Sequence, residues 1–147
     1  MNIKNPISTT VLCATLLWGA STGVYANEDK RQFVEMPKMM QAHQLANMRD
    51  HLMAINEILM SMAADDLDKA AKIAESRLGV SSLSTHGASH MAKVIPKEMG
   101  AIGQSMHKAA SRFALKAEEG EALPAYKALQ EITAACVACH AAYKTHK

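Results

Sequence analysis

Ala135-Cys136-Val137-Ala138-Cys139-His140 is the stretch of this sequence whose residue types and spacing converge on one defined chemistry. Two thiols separated by two residues fall on a single helical turn, and an imidazole follows directly. This C-x-x-C-H order is that of a c-type haem attachment site. In that chemistry both thiols add to the vinyl groups of one haem, and the histidine presents a ring nitrogen to the iron. Other uses of the same residues are weaker. A structural zinc site needs a second ligand pair, for which only scattered histidines remain. A thioredoxin-like redox pair needs a βαβ setting that the sequence does not suggest. A structural disulfide leaves His140 unexplained. The reading is therefore one covalent haem c, attached at Cys136 and Cys139, with His140 as axial iron ligand.

A second group of residues has metal-binding character. His86 and His90, in His86-Gly87-Ala88-Ser89-His90-Met91, stand four residues apart and would share one face of a helix, a spacing that suits copper or zinc. Met36, Met39, Met40 and His43 add soft ligands of the kind Cu(I) prefers. The competing account, which we favour, is a polar crossover whose histidines bond backbone groups. His107 reads as a surface or satisfied interhelical histidine. No acid–base pair or nucleophile constellation accompanies these residues, so the sequence gives no sign of an enzyme.

The elements that must position these groups are helical. Met48, Leu52, Ile55, Leu59 and Met62 recur at steps of four and three, which predicts an apolar stripe on a helix over 37–63. Asp65 and Asp66 are placed to cap a second helix with the stripe Leu67, Ala70, Ala71, Ala74 and Leu78, ended by Gly79. Pro96 suits the first turn of a third, carrying Met99, Ile102, Met106, Ala109 and Phe113 as far as Gly120. A fourth starts near Pro124 and carries Leu129, Ile132, Cys136, His140 and Tyr143. Residues 80–95 form a longer crossover with room for a short helix. The expected fold is all-α, an antiparallel four-helix bundle with haem bound covalently near the C-terminus.

The chain has 147 residues, 49% of them hydrophobic, enough for one domain with a real core. A formal net charge of +2, with acidic and basic residues interspersed, gives no one-signed surface for nucleic acid. At the N-terminus, Lys4, an apolar run from Val11 to Leu17, and the small residues Val24 and Ala26 ahead of Asn27-Glu28-Asp29 read as a signal peptide over 1–26, removed on export to the periplasm. That leaves 27–147 as the haem-binding domain, with no membrane span. This domain has four aromatic residues, Phe33, Phe113, Tyr126 and Tyr143. A core so poor in rings has room for a porphyrin.

The C-terminal position of Cys136-Val137-Ala138-Cys139-His140, followed by Tyr143-Lys144, resembles the class II c-type cytochromes, cytochrome c-prime and its low-spin relatives. The resemblance implies a four-helix bundle, thioethers at Cys136 and Cys139, and His140 as proximal ligand. That family divides at the sixth iron position. Some members cover it with an apolar residue of the first helix and bind gases; others ligate it with a first-helix methionine and carry electrons. Here Met48, in Asn47-Met48-Arg49-Asp50-His51-Leu52, lies on the predicted stripe and is similar in placement to the methionine ligand of the related b-type four-helix cytochrome. Met53 and His51 are the other candidates. A thioether and imidazole pair raises the potential and limits rearrangement on electron transfer. Arg49 and Arg112 are candidate partners for the haem propionates, with solvated surface charge as their competing role. The expected function is a monohaem one-electron carrier that serves redox partner proteins. A five-coordinate NO- or CO-binding protein is the alternative, and a periplasmic metal-binding protein the further one. The resemblance also allows a homodimer through the first helices, where Leu45 and Met60 lie.

Overall fold

The computed structural model describes residues 28–146, so the expected signal peptide over 1–26 lies outside the described residues. The elements in chain order are β1 (Gln32–Phe33), α1 (Lys38–Ala63), α2 (Leu67–Arg77), a 3-10 turn (Val80–Ser82), α3 (Ala88–Met91), α4 (Lys97–Glu118), α5 (Ala122–Ala142) and β2 (Tyr143–Lys144). The chain is thus mostly helical, and among the described residues none of its helices is long and apolar enough to cross a membrane.

Local chemistry sets the helix ends. Pro37 and Pro96 precede α1 and α4, because proline fixes φ and gives up an N–H that a first turn cannot use. The Asp66 carboxylate accepts from the Lys69 N–H and caps α2. Gly120, at φ 76°, lets the chain turn between α4 and α5.

α2 packs against both α1 and α4, and α4 packs along α5. The shared core is unusually small-grained: Ala70, Ala71, Ala74, Ala109, Ala110 and Ala125 are all essentially inaccessible. Small side chains let helix backbones approach closely, and the gaps are filled by Phe113, Ile58, Leu78 and Ile132, the largest fully buried side chains. The stripes predicted for α2 and α4 are the faces that are buried, Ile102 lying at the margin.

α1 departs from expectation. Its buried residues are His51, Ala54, Ile58, Ser61 and Met62, whereas Leu52 is 70% and Leu59 45% exposed. Of the predicted stripe only Met62 is buried, with Ile55 and Met48 half-buried. The helix carries apolar residues on two adjoining faces, and close approach to the alanines of α2 selects the face with the compact Ala54.

The ends of the chain are tied together. β1 and β2 pair in parallel, Gln32 opposite Tyr143 and Phe33 opposite Lys144. The Gln41 amide donates to the Thr145 carbonyl, and Asp29 bridges Arg31 and Lys144. Tyr143, expected on the last helix, has left it for β2 because its backbone is extended (φ −128°, ψ 150°).

Candidate functional site

Cys136, Cys139 and His140 lie in the last two turns of α5. Both thiols are free and half-buried, and burial pushes both pKa values above the usual thiol range. They are therefore protonated at neutral pH. A nucleophilic redox pair depends on lowered thiol pKa values, the opposite of the direction seen at Cys136 and Cys139. Cys136 packs against the hydrophobic core, while His140 and Val137 face solvent, Val137 being 67% exposed. The motif thus presents one apolar and one ligating side chain outward. Arg31 donates to the His140 carbonyl at 3.4 Å, which anchors the backbone of the motif to the N-terminal segment.

The bond from Gln41 to Thr145 brings the start of α1 to the end of α5. Met48 is two helical turns further along, about 10 Å at 1.5 Å per residue, and Cys136 is about 9 Å before the end of α5. Met48 is half-buried, and further along α1 Leu52, Met53, Ile55, Asn56, Glu57 and Leu59 line an open depression.

The candidate propionate partners are both exposed. Arg112 is already ion-paired with Glu131 of α5, while Arg49 stands on the outer side of α1. His51, the alternative sixth ligand, is turned inward, only 8% exposed, away from the face that carries Leu52 and Leu59.

His86 and His90 do not share a helical face. α3 starts at Ala88, after the left-handed Gly87 (φ 64°), so His86 falls in the preceding turn and is buried while His90 is exposed. The structure instead joins His86 to two histidines that sequence spacing does not connect with it. Ring centroids are 4.7 Å apart for His51 and His86, 5.5 Å for His86 and His107, and 5.9 Å for His51 and His107. Burial, with the neighbouring rings, lowers His51 to about 4, and burial also lowers His86, so both are neutral at pH 7. His107 is buried and donates from Nδ1 to the Leu78 carbonyl at 2.7 Å, which, of the two roles expected of it, surface or satisfied interhelical, selects the second. His43, read from sequence as a soft-metal partner, instead bonds through Nε2 to the His86 carbonyl at 3.0 Å.

No family model, curated protein or solved structure matches this chain.

Proposed function

We propose that this protein is a monohaem c-type cytochrome of the class II kind, an antiparallel four-helix bundle of α1, α2, α4 and α5 that carries single electrons in the periplasm. The observation that carries the reading is the end of α5: two free, half-buried thiols one turn apart with a solvent-facing imidazole directly after them. The residues fit the group in a second respect, since α1 leaves Leu52, Met53 and Leu59 exposed at an open depression. Asn56 and Glu57 also line it, so it joins apolar surface that suits a flat hydrophobic ring to a polar margin.

Cys136 and Cys139 would each form a thioether, Sγ bonding to a vinyl carbon while the thiol proton passes to the adjacent carbon. His140 would give one imidazole nitrogen to the iron, and Met48 its thioether sulfur. Leu52 and Leu59 would keep water from the bound group, and Arg49 would be left to meet a propionate, Arg112 being engaged by Glu131. Bound there, haem supplies reversible one-electron chemistry at iron. The export and partner parts of this reading rest on the sequence of residues 1–26 and on the resemblance.

The test is an absorption spectrum of protein made alongside haem-maturation machinery, taken oxidised, reduced, and reduced with CO. A low-spin spectrum with the weak far-red band of thioether-ligated ferric iron, and no response to CO, is expected. Met48→Ala should convert it to a high-spin form that binds CO. A wild-type spectrum that shifts with CO would move the function to gas binding, and haem that washes out on denaturation would overturn the proposal.

A further inference from the structure

The buried meeting point of His51, Ser82 and His86 has a surplus of lone pairs. His51 Nε2 and His86 Nδ1 face one another at 3.5 Å, and Ser82 Oγ lies 3.3 Å from the same His86 nitrogen. The Ser82 hydroxyl already donates to the Gly79 carbonyl at 2.7 Å, so Ser82 can only accept from His86. Three acceptor atoms therefore share at most one proton, held at two long distances. The three residues are buried and come from α1, the 3-10 turn and the turn before α3.

We propose that His51 Nε2 and His86 Nδ1 form a seat for one monovalent copper ion, with Ser82 Oγ as a weak third ligand. This site is separate from Cys136, Cys139 and His140 and does not depend on haem. Two metal–nitrogen bonds of about 2 Å open to N···N separations of roughly 3.3 to 4 Å as the bond angle widens. The observed 3.5 Å lies within that range and corresponds to a nearly trigonal arrangement, the one in which a third ligand fits.

Charge selects the monovalent ion. Asp50 is the carboxylate that acts on His51 and His86, and it is bound to Arg77. A divalent cation buried here would stay largely uncompensated. Nor do the described residues assemble a group of three or more histidine, cysteine or carboxylate ligands, which zinc would need. The shell around the seat is braced: Asn47 donates to the His86 carbonyl at 3.1 Å, alongside His43. A Cβ on Gly87 would stand 3.2 Å from His43 Nε2, so the turn that aims His86 admits little change.

The experiment is an anaerobic Cu(I) titration of the full chain against bicinchoninate, repeated on its Cys136→Ser/Cys139→Ser form so that thiols do not compete. One copper per chain is expected in the serine form, with X-ray absorption showing nitrogen and oxygen neighbours and no sulfur. In that background His51→Asn and His86→Asn should each weaken binding at least 100-fold, while His90→Ala should leave it unchanged. Should the asparagine variants lose helicity by circular dichroism, imidazole NMR of the serine form decides: Cu(I) must shift the His51 and His86 rings and leave His90 and His140 in place. Binding that survives both asparagine variants, sulfur neighbours in the serine form, or no copper held against the chelator would overturn the proposal.

Discussion

The two sides of α1 make an instructive pair. One side carries His51, Ala54, Ile58 and Met62 into the molecule; the other carries Leu52, Met53, Leu59 and Met60 out of it. Hydrophobicity alone would sink the second side, since leucine has more surface to bury than alanine or histidine. The arrangement is reversed because the partner surface on α2 is a row of alanines against which only a compact face can seat closely. Neutral imidazoles that find partners among themselves are tolerated there. The larger apolar side chains are left at the surface.

The inward side should be costly to disturb. Phe113→Ala, which empties the largest fully buried ring of the core that α1 seats upon, should lower unfolding free energy by about 3–5 kcal/mol in urea titrations followed by far-UV circular dichroism. A loss under about 1 kcal/mol would mean that the packed interior is loose.

A smaller effect should follow from acid. His51 has its folded pKa lowered to about 4 from an ordinary 6.5, and His86 is lowered in the same direction. The unfolded chain therefore binds more protons than the folded one below about pH 6.5. Stability is full above that value and falls as pH drops from about 6.5 through 4, by roughly 2–3 kcal/mol for His51. Replacing His51 with asparagine should flatten the stability profile in that window. An unchanged profile would place His51 in water.

The outward side should scarcely respond. Leu52→Ser in the haem-free chain should change unfolding free energy by less than about 0.5 kcal/mol, whereas a leucine in the core would cost several times more. A large loss would restore the stripe predicted from sequence and reverse the comparison.

Helices and caps are local features, and most of them were legible. Pro37, Asp66, Pro96 and Gly120 act within a few residues of themselves, and the C-x-x-C-H order needs only one turn of helix to bring its groups together. The stripes of α2 and α4 were legible as well, because each of those helices has a single apolar face. On α1 the steps 48–52–55–59–62 and 51–54–58–62 both fit a helix, so periodicity could not choose between them.

Sequence by itself thus determined that the chain is helical, roughly where its helices lie, and that two thiols and an imidazole stand within one stretch of the last one. Tertiary structure alone decided which side of α1 faces inward, which turns His51 into the interior and leaves Leu52 and Leu59 outside. It also built the His51–His86–His107 cluster, whose members are drawn from α1, a turn and α4, and tied β1 to β2 across the length of the chain. The physical reason is range: hydrogen bonds within a turn depend on neighbours in sequence, whereas the seating of one helix on another depends on the shape of a surface that exists only after folding.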